Sequence, residues 1–412
     1  NAGLAQVRFA FARLWEGLST RAQQSGYPRL ELEPDQWTGN LTALYHAVDS
    51  ALETLLSQVG SLRHEALAGL PANHHSSPQI PPGQLELLER RAAALRDDLA
   101  VIVDGARGRV TWLEADPRQT VVGSSPISLG GLFRHRILET VPAVVLTSAT
   151  LSGGPPHLAG KDSDPTTPVT PSQFPYLRSR LGLEDVELEE LAVPSPFDYA
   201  HSALLYTPTD LPHPNQTAFL RAALERTIEL VRITKGGAMV LTTSVRSLEE
   251  LGRSLARRMP DMPVLVQGQA PKRALLDQFR DSGNAVLVAT LGFWAGVDVP
   301  GHALRLVVLE KAPFAVPTDP LVRARARALE EQGRNPFMDL LVPAAGLTLR
   351  QGFGRLIRTR SDRGIVALLD GRVLSRGYGK RLLAALPQTH RTTQLEDVRA
   401  FWQDAKTRVA VP

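Results

Sequence analysis

Cysteine is absent from all 412 residues, which excludes disulfides, thiolate zinc sites and cysteine-ligated iron–sulfur clusters within this stretch. That suits a reducing cytoplasm. No uninterrupted apolar run approaches the roughly 20 residues needed to cross a membrane. The start lacks a basic segment followed by an apolar core, so no secretory signal is read there. The chain opens at Asn1 rather than methionine, which reads as a fragment or a processed chain.

What is present is ordinary in bulk. The length allows two or three domains, and a hydrophobic share of 43% with 21% charged residues is that of a soluble globular protein. A net charge of +4 permits nucleic-acid binding without naming it.

The first hundred residues read as helical. Leu4, Val7, Phe11, Leu14, Trp15 and Leu18 recur at helix spacing, as do Leu41, Leu44, Val48, Leu52, Leu55 and Leu62. A Pro/Ser/His-rich break, Pro71 to Gly83, reads as a solvated loop. It precedes a third helix carrying Leu85, Leu88, Leu95 and Leu99. From Arg109 the texture changes: Val110-Thr-Trp-Leu-Glu is strand-like, and Ala143-Val-Val-Leu-Thr suits a buried strand. A second Pro-rich stretch follows, through Pro155, Pro165, Pro168, Pro171 and Pro175.

Beyond it, apolar runs at 203–206, 238–241, 264–266, 285–289, 304–309 and 365–369 alternate with amphipathic stretches at 216–233, 247–259, 271–280 and 319–332. Ser247 with Glu250 has capping-box spacing. Continuous apolar strands, most followed by a helix, predict a parallel sheet covered on both faces. In such sheets the chemistry gathers in loops at strand ends.

Those ends are informative. Thr147-Ser148-Ala149-Thr150-Leu151 follows one strand, Thr242-Thr243-Ser244 another, and Thr290 to Gly301, with Gly296 and Asp298, a third; Gln351-Gly-Phe-Gly354-Arg355-Leu-Ile-Arg358 precedes the last. Hydroxyls and backbone N–H groups bind phosphate without reading bases. Gly296 and Gly354 admit close approach of a ligand, and Asp298 can accept from a ribose or hold an arginine. Arg355 and Arg358, three apart, are expected on one helical face, where paired guanidinium groups suit a triphosphate. Each group alone has an ordinary structural reading: a strand exit, a turn, a solvated basic face. Four of them in this order, each at a strand end along one expected sheet edge, outweigh those readings.

Together these residues resemble superfamily 2 helicases, specifically the XPD/DinG group. Thr147–Leu151 resembles motif III, Leu241–Ser244 motif IV, Ala289–Gly301 motif V and Gln351–Arg358 motif VI. Ser195-Pro-Phe-Asp-Tyr199 and Lys311-Ala-Pro-Phe314, with Pro317 and Pro320, are similar to the bacterial DinG branch. The resemblance runs from about Val110 to Trp402. It implies an α/β fold with a RecA-like parallel sheet, preceded by a helical arch-like region (1–108) and the tail of a first RecA-like domain (109–190), with the second RecA-like domain over 191–412.

By the same resemblance Arg355, Arg358 and Gln351 are catalytic, with Gly296, Asp298 and Gly354 at ATP. Ser148 and Thr150 couple hydrolysis to movement, and Thr243, Ser244, Thr290, Phe293 and Trp294 face DNA. The implied activity is ATP-dependent unwinding in DNA repair, 5′ to 3′, by a cytoplasmic monomer acting on single-stranded and on forked or tailed duplex DNA. Phe293 or Trp294 could equally serve packing.

Two departures stand out. Ala295 replaces the glutamate of the family's motif V, which removes a carboxylate near ATP; alanine there is compatible with other superfamily 2 helicases. No GxxxxGK[ST] loop and no Asp-Glu-x-His box occur, although a helicase needs the first to cradle phosphates and the second to hold Mg2+. The ATP and Mg2+ site is therefore expected to be completed by other residues, with this chain alone inactive, and no iron–sulfur cluster is encoded in it. The alternatives are a non-catalytic single-stranded DNA-binding module, or a DinG-type protein whose main activity is an upstream exonuclease.

Overall fold

A computed structural model describes residues 2–25, 29–68, 81–115, 119–148, 173–193, 195–294, 299 and 301–409. In chain order its elements begin with α1 (Ala2–Ser25), β1 (Arg29–Glu31), α2 (Asn40–Leu67), α3 (Pro82–Asp104), β2 (Arg109–Ala115), β3 (Thr120–Pro126), α4 (Gly130–Phe133) and α5 (Pro175–Leu181). They continue with α6 (Tyr199–Ser202), β4 (Ala203–Tyr206), α7 (Phe219–Thr234), β5 (Ala238–Thr242), α8 (Val245–Arg258), β6 (Val264–Val266), α9 (Lys272–Ser282), β7 (Val286–Thr290) and β8 (Leu306–Leu309). The last are α10 (Pro320–Glu330), α11 (Val342–Leu356), β9 (Gly364–Leu368), α12 (Arg372–Ser375), α13 (Gly379–Ala384), β10 (His390–Thr392) and α14 (Leu395–Val409).

Two compact units result: Asn1–Leu132 with Val316–Arg334, and Phe133–Ala315 with Asn335–Pro412. In the first, α1, α2 and α3 bury the stripes set by their spacing, among them Leu14, Leu18, Leu44, Val48, Leu52, Leu55, Leu85 and Leu99. The stripe is imperfect: Leu4 and Leu62 near helix ends and Leu95 within α3 remain exposed. An antiparallel sheet in the order β1-β2-β3 completes this unit.

The segment holding α10, which the sequence suggests as a helix covering the parallel sheet, belongs to the first unit instead. Polar contacts account for this. Asp319 caps α10 by accepting from Leu321 N and Val322 N at 2.9 and 3.1 Å, and receives Arg29 Nη1 from β1 at 2.9 Å. Arg325 Nε donates to Ile127 O at 3.0 Å, and Arg327 pairs with Glu31.

The second unit is a seven-stranded sheet in the order β10-β4-β9-β8-β5-β7-β6, every pairing parallel. Side chains alternate faces along each strand. Met239, Leu241, Leu287, Ala289, Val307, Leu309, Val366 and Leu368 point to one core. Ala238, Val240, Val286, Val288, Leu306, Val308, Ile365 and Ala367 point to the other. Residues of α9, α11 and α13 cover the first face and those of α7, α8 and α14 the second. This is the doubly covered parallel sheet expected for a RecA-like domain, and it explains why the strands read as unbroken apolar runs.

The expected strand at Ala143–Leu146 does not form. These residues follow no ladder, and Val145 is 87% exposed. A strand needs a neighbour to satisfy its backbone, and no described strand pairs with this one.

Candidate functional site

The sheet presents two ends, and the sequence motifs divide between them. Thr242 pairs with Thr290, Leu241 with Leu309, and Leu309 with Leu368. The loops after β5, β7, β8 and β9 therefore emerge in a row from the carboxyl edge. Motif VI lies at the other end. Its helix α11 finishes at Leu356, where a Cβ on Gly364, the first residue of β9, would approach the Leu356 side chain to 2.5 Å. Only glycine lets α11 close down on the amino end of β9 this tightly. A single edge gathering all the motifs, as expected from sequence, is thus corrected. Loops after strands and a loop before a strand leave by opposite ends, roughly 13 Å apart for five-residue strands.

The motif VI geometry differs from the helical expectation in a second way. Gln351 and Arg355, four apart within α11, share a face. Arg358 does not join them on the helix, because Ile357 is extended (φ −115°, ψ 105°) and ends it. The buried carboxylate of Asp362 imposes that turn: its Oδ2 accepts from Arg358 N and Thr359 N, both at 2.8 Å. Arg355 and Arg358 are both half-buried. Burial lowers the Arg355 guanidinium from its ordinary pKa, yet an arginine stays charged. Partial desolvation strengthens what such a cation does to a nearby anion. A Cβ on Gly354 would meet nothing within 4 Å, so no neighbouring side chain requires the glycine.

At the carboxyl edge, α8 begins at Val245 with Ser244 as its cap, not at the Ser247–Glu250 pair suggested by spacing. Ser244 Oγ accepts from Ser247 N at 3.1 Å and donates to Ser247 Oγ at 3.0 Å. Ser247 Oγ in turn donates to Glu310 Oε1 at 3.0 Å. Glu310 is 1% exposed at the end of β8; its Oε2 accepts from Thr243 N at 3.3 Å, and Lys311 Nζ lies 3.1 Å from Oε1. The Ser244 hydroxyl proton is therefore directed inward. What faces outward is the start of α8, whose first N–H groups lack intrahelical acceptors.

Across the row, Thr290 N and Oγ1 both donate to Gln267 Oε1, at 2.8 and 3.0 Å. Asp370, fully buried after β9, accepts from Ala312 N at 3.1 Å and from the Arg372 guanidinium at 2.6 and 2.8 Å. Phe293 is 6% exposed in the core with Lys272 Nζ 4.9 Å from its ring centre, so it offers no face for base stacking. Ser148 is exposed. Thr150, Gly296 and Asp298 lie outside the described residues, as does the side chain of Trp294. Of the two branch-specific stretches, the first places Asp198 as the cap of α6, accepting from His201 N at 3.3 Å.

Glu310, Asp362, Asp370 and Gln267 were not singled out from sequence, although each anchors a candidate loop. For two of them a signal existed: an acid directly after an apolar run, as in Val-Val-Leu-Glu310 and Ala-Leu-Leu-Asp370. A buried carboxylate there is too costly unless it receives several donors.

Comparison with known proteins agrees with this geometry. Residues 227–389 match the helicase C-terminal domain family. The ATP-dependent DNA helicase YoaA of Escherichia coli is 36% identical over 284 residues, covering 69% of this chain and 42% of that protein. The ATP-dependent helicase DinG of Mycobacterium tuberculosis is 35% identical over 300 residues, covering 71% and 42%. The chain thus spans about two fifths of the length of these relatives. A solved chain, XPD_APO, superposes with a TM-score of 0.52 at 14% identity over 89% of this chain and 65% of its own, a likeness of fold. No described helix is long and apolar enough to cross a membrane. With motif VI on α11, a doubly covered parallel sheet and these relatives, the chain belongs to the XPD/DinG-like group of superfamily 2 helicases.

Proposed function

We propose that the protein containing this chain is an ATP-dependent DNA helicase that moves 5′ to 3′ on single-stranded DNA and opens forked or tailed duplexes. It would act as a cytoplasmic monomer in DNA repair. The observation that carries the proposal is the motif VI loop, in which α11 aligns Gln351 with Arg355 and Asp362 fixes the backbone at Arg358. Arg355 and Arg358 would meet the ATP phosphates, where an arginine can contribute roughly 10³ to 10⁵ in rate. Gln351 would orient the same face, and open space at Gly354 would admit the nucleotide. By the family resemblance Gly296 and Asp298, in the connection that runs from the end of β7 to the start of β8, would also reach ATP, and Ser148 and Thr150 would couple it to movement.

The carboxyl edge would carry DNA. Ser244 presents the α8 start, and Thr243, Thr290 and the Trp294 region lie along the same row, suiting phosphate contact without base reading. The sheet between the two edges is packed on both faces and would carry displacement at the arginines to the strand-end loops. Among the described residues no group of three His, Cys, Asp or Glu could hold a metal. By the family resemblance the completed site would take Mg2+ with ATP, and this chain alone would hydrolyse ATP poorly.

The test is ATP turnover and strand displacement by the full-length protein, with oligonucleotides tailed at either end. Turnover stimulated by single strands and displacement confined to 5′-tailed duplexes support the proposal. Absence of stimulated turnover, or displacement confined to 3′ tails, overturns the activity or the polarity respectively.

A further inference from the structure

The Lys311-Ala-Pro-Phe314 stretch ends in an aromatic cluster. The rings of Phe314, Phe337 and Tyr378 pack on one another with centroids 5.1 to 5.4 Å apart. Tyr378 stands edge-on to both phenylalanines, at 84° and 74°. The three come from separate places: the loop after β8, a π-helical turn (Phe337–Leu341) that leads into α11, and the turn between α12 and α13. π-Turns of this kind are frequent at functional sites. All three residues are partly buried, Phe314 against the core, and each keeps part of its surface in solvent. Asp370 fixes the supporting loops, holding Ala312 N from one and Arg372 from the other.

Charge singles out the same place. Between Asp370 and Glu396 the chain carries Arg372, Arg376, Lys380, Arg381 and Arg391 and no acid. Arg376, Lys380 and Arg381 are exposed around Tyr378. Position completes the picture. β8 lies beside β5, and β9 beside β8, so the loop bearing Phe314 is the next along the carboxyl edge after Thr243 and Ser244, and the loop bearing Tyr378 the next again. Adjacent strands are roughly 4.8 Å apart, which puts these loops about 5 to 10 Å beyond the α8 start. Partly exposed aromatic rings beside cations with no nearby acid in sequence are the two features by which proteins hold single strands, one stacking on bases and the other drawing phosphates.

We propose that Phe314, Phe337 and Tyr378 form a base-stacking platform for single-stranded DNA, with Arg376 drawing the adjoining phosphate. This rests on reading the carboxyl edge as the DNA track and extends that track by two strands.

The experiment measures binding of the full-length protein to a fluorescent single-stranded oligonucleotide and to copies carrying one abasic position at a time. Tyr378→Ala is expected to weaken binding about fivefold to one-hundredfold, Tyr378→Phe to change it less than about twofold, and Arg376→Ala to reduce the salt dependence. One abasic position should weaken the wild type and have no further effect on Tyr378→Ala. Tyr378→Leu keeps apolar bulk without an aromatic face, so it separates stacking from folding: it should bind like Tyr378→Ala while melting like the wild type. Wild-type binding by both Tyr378→Ala and Tyr378→Leu overturns the platform, as does full abasic sensitivity retained in either. If Thr290→Ala or Thr243→Ala weakens binding while the Tyr378 variants do not, the platform alone fails. If the wild type shows no single-strand binding, the underlying reading fails with it.

Discussion

Asp362 holds the backbone of Arg358. Two N–H groups, those of Arg358 and Thr359, converge on one carboxylate oxygen at 2.8 Å, and the helix bearing the rest of motif VI stops two residues earlier. The second arginine of the motif is therefore placed by a turn rather than by a helical face. That turn is as much part of the candidate ATP site as the guanidinium it presents.

Removing this anchor should cost stability and turnover together. Hydrogen bonds to a buried charge contribute about 1.5 to 3 kcal/mol each. Asp362→Ala is expected to lower unfolding free energy by about 2 to 4 kcal/mol and to slow ATP turnover in the full-length protein. Asp362→Asn, which keeps an acceptor, should do less of both. Denaturant titration and steady-state hydrolysis measure the two effects. Full turnover in a destabilised Asp362→Ala would show that the turn serves folding alone.

Glu310 makes a parallel case at the other edge. It gathers Thr243 N, Ser247 Oγ and Lys311 Nζ while almost wholly buried. Glu310→Ala leaves the Thr243 N–H and the Ser244–Ser247 hydroxyl chain without their acceptor, at about 1 to 3 kcal/mol. The expected outcome is weaker single-strand binding with the ATP KM unchanged. Equal losses in DNA and nucleotide affinity would mean a general collapse of the sheet edge.

In the helical unit, Arg96 donates to Asp49 at 2.6 and 3.1 Å, and that hydrogen bond holds the Asp49 carboxyl below its usual 3.8. A carboxylate whose folded pKa is depressed stabilises above its unfolded value and loses that contribution as pH falls through the folded one. Arg96→Met should therefore destabilise the protein by about 0.5 to 1 kcal/mol at neutral pH. The difference from wild type should shrink below pH 3.8. Thermal melts across pH test this; a difference that persists in acid would assign the loss to packing of the arginine stem.

Much of this architecture was legible from periodicity. The six apolar runs from Ala203 onward became β4 to β9; all but the partly buried edge strand β6 are covered on both faces, which leaves few polar residues to blur their limits. Three features escaped for physical reasons. Ala143–Leu146 has strand composition but no described neighbour to pair with. Helix α10 is amphipathic like its fellows, and only Asp319, Arg325 and Arg327 reveal that it belongs beside β1 and β2. The Arg355–Arg358 spacing suggested one helical face, and the distant acid that ends the helix carries no periodic signal. The motifs were readable as residues; the edge on which each one stands was not, since that depends on whether a loop precedes or follows its strand.

In the function proposed above, Arg355 and Arg358 would stand at an ATP-facing end of the sheet, and Thr243, Ser244 and Thr290 at a DNA-facing end. The most direct test measures ATP turnover and single-strand affinity on the same preparation of full-length Arg358→Ala. Turnover should fall by about 10³-fold or more, while single-strand affinity without nucleotide stays within about twofold of the wild type, since phosphate contacts at the far edge are untouched. Wild-type turnover in Arg358→Ala, or a loss of DNA binding as large as the loss of turnover, would contradict it.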